Sequence, residues 1–144
     1  MSDIEIKRAD KSDAENIVSL YQNFRAEWSP VTDFNHKLEI YPAVVAYQGS
    51  TLIGFVYCLS FAPDIIELAN MYVKQGFRSN NLGTEMLLIL EGFIKKSNYK
   101  GVILFNSDAY ETEQLKYSAS SFYLRNDYRE LAATDMTRIF YKGF

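Results

Sequence analysis

The hydrophobic residues change period several times along the chain, and each change marks an element. Ile4-Glu5-Ile6-Lys7 alternates apolar with polar, the two-residue period of a short strand. Ile17, Leu20, Tyr21 and Phe24 then recur at helical spacing. Before them, Ser12-Asp13-Ala14-Glu15 has the form of a capping box, with Ser12 as N-cap and Glu15 reaching back. This predicts a first helix over 12–25. Pro30 and Pro42 bracket a segment in which Phe34, Leu38 and Tyr41 suggest a short second helix.

Strand periods follow. Residues 43–47 are an apolar run, Gln48-Gly49-Ser50 is a turn, and 52–61 is a second run, so the two read as a hairpin. Pro63-Asp64 breaks the pattern, and 65–73 reads as another strand. After the polar stretch 74–82, Met86, Leu87, Leu90, Phe93 and Ile94 return to helical spacing and predict a helix over 83–96. A strand over 101–105, a helix over 111–125 and strands over 127–131 and 136–142 complete the chain. With no linker, repeat or low-complexity tract, the expectation is one mixed α/β domain over residues 1–144.

Composition narrows the function more than the fold. Of 144 residues, 48% are hydrophobic and 23% charged, the balance of a globular domain. Fifteen basic residues against 18 acidic ones leave a net charge of −3. A nucleic-acid partner would call for a basic excess, so none is expected. The lone cysteine, Cys58, lies in an apolar run and reads as a small buried hydrophobe; with no Cys/His cluster, no metal is expected. The polar start and the absence of a membrane-length apolar run point to the cytoplasm and no membrane partner. His36, the single histidine, reads as a surface residue, and no serine sits in a GxSxG elbow, so hydrolase chemistry has no support.

The informative stretch is 67–87: a strand, the loop Gln75-Gly76-Phe77-Arg78-Ser79-Asn80-Asn81-Leu82-Gly83, then an amphipathic helix. A loop able to take positive φ at a helix start aims several unpaired N–H groups in one direction, which suits a pyrophosphate. The pattern is neither a Walker A sequence nor a GxGxxG fingerprint.

Phe77-Arg78-Ser79-Asn80-Asn81-Leu82-Gly83 resembles the acetyl-CoA loop of the GNAT superfamily, (Gln/Arg)-x-x-Gly-x-(Gly/Ala) after an aromatic. Asn81 replaces the middle glycine, a substitution that physics allows because Asn enters the left-handed region most readily among non-glycine residues. A second segment, Ala119 to Tyr128, is similar to the family's Ala-x-x-x-Tyr-x-x-x-Gly-Phe, with Asp127 for Gly and Tyr128 for Phe. The element order fits that fold throughout: a central mixed, mostly antiparallel sheet flanked by about four helices.

The resemblance implies an N-acetyltransferase moving acetyl from acetyl-CoA to a primary amine of a small molecule or peptide. It implies backbone contacts to the cosubstrate from Met71 and Val73 on a strand splayed from its neighbour. Around the pyrophosphate it implies Arg78, Ser79, Asn80, Asn81, Leu82, Gly83 and Thr84, and it places Lys116 where many members carry a cofactor-touching Asn. Tyr123 takes the place of the tyrosine that protonates the departing thiolate. Glu67 stands where the histone-type branch has its base. On strand periodicity, 67, 69, 71 and 73 share one face. Trp28, Phe34, Tyr41 and the segment after Phe61 are expected to shape the acceptor pocket. A homodimer is allowed. The rival reading is a non-catalytic acyl-CoA-binding module of the same fold.

Overall fold

The computed structural model describes residues 3–78, 81–107 and 113–144, with side chains described throughout except at 107 and 113–118. Seven strands form one sheet: β1 (Ile4–Arg8), β2 (Ala43–Gln48), β3 (Thr51–Ser60), β4 (Ile65–Val73), β5 (Gly101–Ser107), β6 (Arg129–Ala133) and β7 (Thr137–Gly143). Their order is β1-β2-β3-β4-β5-β7-β6. Every neighbouring pair is antiparallel except β4 with β5. The helices are α1 (Ala14–Phe24), α2 (Phe34–Ile40), α3 (Leu82–Lys96) and α4 (Glu113–Arg125). This is the mixed architecture expected from the pattern, and the predicted start of the last helix at 111 falls outside the described residues.

The sheet is covered on both faces, which is why β3 is apolar almost end to end. One core unites α3 with Val56, Cys58, Ile66, Leu68, Leu104, Tyr123 and Phe140. The other unites α1 and α2 with Val45, Phe55 and Tyr57. Each fully buried Leu or Ile in these layers contributes about 1.5–3 kcal/mol. Cys58 is buried in the first core, and burial pushes its thiol pKa up. His36 is exposed on α2.

Two sequence expectations change. The first helix begins later, behind a 3-10 turn over Lys11–Asp13, and its capping box uses Asp10 and Asp13 rather than Ser12 and Glu15. Asp10 accepts from the Ser12 N–H at 2.8 Å, and Asp13 accepts from the Asp10 N–H at 3.0 Å. Asp13 is buried and also receives the Tyr47 hydroxyl at 2.7 Å, so this carboxylate is fixed by two donors. The Ser12 hydroxyl is itself spent on Asp10.

The second change is in β4. Tyr57 pairs with Asn70, but the next residue, Cys58, pairs with Leu68, which leaves Ala69 as an extra residue in the ladder. A bulge of this kind resets the alternation. Leu68, Met71 and Val73 consequently pack on the α3 side, while Ala69 and Tyr72 pack on the α1 side. Glu67 pairs with Leu59, which also belongs to the α1 side. Glu67 does not share a face with Met71 and Val73.

Candidate functional site

The parallel pairing of β4 with β5 is short. Ile65, Ile66 and Glu67 match Gly101, Val102 and Ile103, and no further pairs join the strands. β4 continues to Val73 and β5 to Ser107, so the sheet opens from Glu67 onward. The splay implied by the resemblance is present, and the edges of Met71 and Val73 that face away from β3 border it.

At the far end of the opening lies the start of α3. Asn81 is its N-cap residue, with φ 60 and ψ 14, the left-handed conformation that the glycine-like position requires. The first helical hydrogen bond runs from Glu85 N–H to the Asn81 carbonyl at 3.0 Å. The N–H groups of Leu82, Gly83 and Thr84 therefore precede the ladder. The Leu82 side chain is buried in the core, so a ligand at this helix start would meet its backbone alone. Such a helix start, carrying the positive end of the dipole, fits a pyrophosphate.

Gly83 has a structural role that the sequence did not reveal. A Cβ there would lie 3.2 Å from Cε1 of Phe122 and 3.6 Å from Cε of Met71. The missing side chain lets α4 close against α3 and brings β4, α3 and α4 together beside Tyr123. Arg78 folds back over β4: its Nε donates to the Val73 carbonyl at 2.7 Å, and its guanidinium lies 5.3 Å from the Tyr72 ring centroid. Two predicted cosubstrate contacts thus meet each other. Ser79 and Asn80 lie outside the described residues, as does the side chain of Lys116.

Tyr123 sits on α4 in the α3-side core, 8% exposed, with its ring against Phe122, Tyr128 and Phe140. Glu67 is on the opposite face. Partial burial raises its carboxyl pKa above the usual range.

The α1 side carries further groups. Asn70 hydrogen-bonds both the Tyr21 and Tyr57 phenols, and burial pushes Tyr57 up to about 12. Trp28 packs edge-on against Tyr21, with ring centroids 4.9 Å apart. Phe34 is buried against Tyr57 and serves α2 packing. Tyr41 is partly buried against the α3-side core.

Sequence reasoning missed one buried cluster. Glu91 on α3 is 2% exposed and accepts from the Tyr128 hydroxyl and the Lys142 ammonium, both at 2.9 Å. Lys142 also donates to the Asn126 carbonyl at 3.1 Å. Asp127, at φ 71, makes the turn that delivers Tyr128 to this cluster. Among the described residues no group of three His, Cys, Asp or Glu could hold a metal, and no helix is long and apolar enough to cross a membrane.

Comparison with known proteins agrees with this geometry. No curated protein sequence matches the chain. Solved structures share its fold over nearly the whole length. A PaiA N-acetyltransferase from Thermoplasma acidophilum, in complex with coenzyme A, has a TM-score of 0.74 at 19% identity, covering 99% of both chains. An N-acetyltransferase from Staphylococcus aureus Mu50 reaches 0.73 at 16% identity, again covering 99% of both. An aminoglycoside 6'-N-acetyltransferase complexed with coenzyme A reaches 0.79 at 17% identity, covering 96% of both. The family model "Acetyltransferase (GNAT) domain" matches residues 39–130, most of the chain and all of the opening. The chain belongs to the GNAT acetyltransferase family.

Proposed function

We propose that the protein is an N-acetyltransferase that moves the acetyl group of acetyl-CoA to a primary amine of a small molecule or peptide. The observation that carries this reading is the opening between β4 and β5, which ends on the amide-lined start of α3 at Asn81. Acetyl-CoA, when bound, supplies the activated thioester. The chain does the rest. Backbone groups of Met71 and Val73 hold the pantetheine arm and the acetyl oxygen. Residues 78–84, with Lys116, hold the pyrophosphate. Glu67, its carboxyl raised by burial, takes the proton from the amine directly or through water. Tyr123 gives its proton to the departing thiolate; a phenol with an ordinary pKa of about 10 can hold that proton until a thiolate with a conjugate pKa of about 8.5 needs it.

Calorimetry with acetyl-CoA should show one site, and thiol release on adding an amine should follow. One-site binding without turnover of any amine would favour the non-catalytic acyl-CoA-binding reading. No heat and no thermal shift at millimolar acetyl-CoA would defeat both.

A further inference from the structure

An aromatic pair straddles Glu67. In the ladder Glu67 is flanked by Leu59 on β3 and by Ile103 on β5. Phe61 lies two residues beyond Leu59, and Phe105 two residues beyond Ile103. One ring therefore starts on each side of β4. The ring centroids are 6.2 Å apart, so the pair crosses β4. Val102 and Leu104 point into the α3-side core, so Ile103 and Phe105 point to the other face, the face of Glu67. Although they touch, the rings stay 50% and 45% exposed. α1 and α2 cover this face only farther along, where Tyr21 meets Phe55 and Phe34 meets Tyr57.

The surface combines open aromatic area with a single carboxylate. On this face of β3, β4, β5 and β7, Glu67 is the one acidic residue among those described; Ile139 and Tyr141, the β7 partners of Phe105 and Ile103, continue it as far as the Arg129 guanidinium of β6, which lies 5.8 Å from the Tyr141 ring centroid at the far edge. A polyamine would find one anion for several cations. A sugar amine would find few partners for its hydroxyls beside these rings. A cation on a flat apolar body satisfies both features, with its ammonium at the carboxylate and its body on the rings.

We propose that Phe61 and Phe105 form the acceptor subsite and select a primary amine borne on an aromatic or similarly flat apolar carrier, an inference that rests on the N-acetyltransfer reading above. The amine nitrogen sits at Glu67, at the mouth of the opening, and the carrier lies across the two rings.

The test uses 2-phenylethylamine, spermidine and kanamycin. Equilibrium binding of each to protein saturated with coenzyme A is measured first, then thiol release by each with acetyl-CoA. 2-Phenylethylamine should bind most tightly and have the highest kcat/KM. Phe61→Ser and Phe105→Ser should each raise its Kd and KM about 5- to 10-fold, from the loss of one aromatic contact, and leave the KM for acetyl-CoA unchanged. Phe105→Leu, the variant safest for folding, should show a smaller rise in the same direction. Preference for spermidine or kanamycin would overturn the subsite and leave amine acetylation standing. Unchanged amine Kd and KM in the ring variants would also overturn it; a wild-type dimer that these variants split on ultracentrifugation would assign the rings to an interface between copies. If no amine binds or is acetylated although acetyl-CoA binds, the N-acetyltransfer reading itself fails, and this inference with it.

Discussion

Asn81 offers the most direct test of how the loop is built. Its φ of 60 puts the backbone where a β-branched residue is strained by about 1–2 kcal/mol. Its side chain makes no capping hydrogen bond, so exchanging it removes no bond at the helix start. Asn81→Gly should therefore relieve residual strain while adding freedom to the unfolded chain, and the two effects nearly cancel. Asn81→Val should carry the full strain. For 144 residues, with an unfolding entropy of about 2.1 cal/mol/K per residue, Tm should fall by about 3–7 °C. If the loop escapes the strain by refolding, the N–H groups of Leu82, Gly83 and Thr84 turn away from the ligand. Acetyl-CoA Kd should then rise about tenfold, equivalent to about 1.4 kcal/mol. Scanning calorimetry reads the first effect and titration calorimetry the second. The valine variant should lose on at least one axis and the glycine variant on neither. Wild-type Tm and Kd in all three proteins would refute the assignment of this position.

Three further outcomes are expected. Tyr123→Phe should lower kcat by ~100-fold or more, toward the low end of the range for general acids because water can also protonate a thiolate, with the acetyl-CoA Kd unchanged; a wild-type kcat in the folded variant would remove Tyr123 from the mechanism. Glu67→Gln should abolish the acid limb of the pH–rate profile, a limb that lies above ordinary carboxylate values because burial raises this group. A raised folded-state pKa means that the stability contribution of Glu67 is fully present below its unfolded pKa and lost as pH rises through the folded one, so the same variant should be as stable as wild type, or more so, at pH 7 while losing activity; a clear fall in Tm there would contradict the sign. Glu91→Ala strands Lys142 and the Tyr128 hydroxyl and should cost about 3 kcal/mol, a Tm drop of about 10 °C, since Lys142 keeps some access to water; an unchanged Tm would show the cluster to be energetically idle.

The element order was legible because periods of two and of 3.6 survive in every segment that faces one core. The left-handed turn at Asn81 was legible too, since few residue types tolerate it, and Asp127 takes its glycine-like conformation for the same reason. The bulge at Ala69 was not. Leu68-Ala69-Asn70-Met71 contains no residue that demands an extra ladder position; the insertion exists only relative to the partner strand, and it moved Glu67 away from Met71 and Val73. The Asp10–Asp13 cap lost to Ser12 and Glu15 on paper because nothing local says that Asp13 is buried against Tyr47. Glu91 looked like one more charge on an amphipathic helix, and its partner Lys142 is 51 residues away.

That pair has a mechanical consequence. β1 to β4 and β5 to β6 are two half-sheets joined by three residue pairs, a hinge with its mouth beyond Glu67. α3 packs on the first half through β2, β3 and β4. Glu91 grips Lys142 of β7 and Tyr128 before β6, both in the second half. The cluster is thus a polar clasp across the hinge, added to the apolar core that α3 shares with Leu104 and Phe140. Loosening it should let the halves swing, so Glu91 variants should show faster amide exchange along the free edges of β4 and β5 before any strand elsewhere gives way.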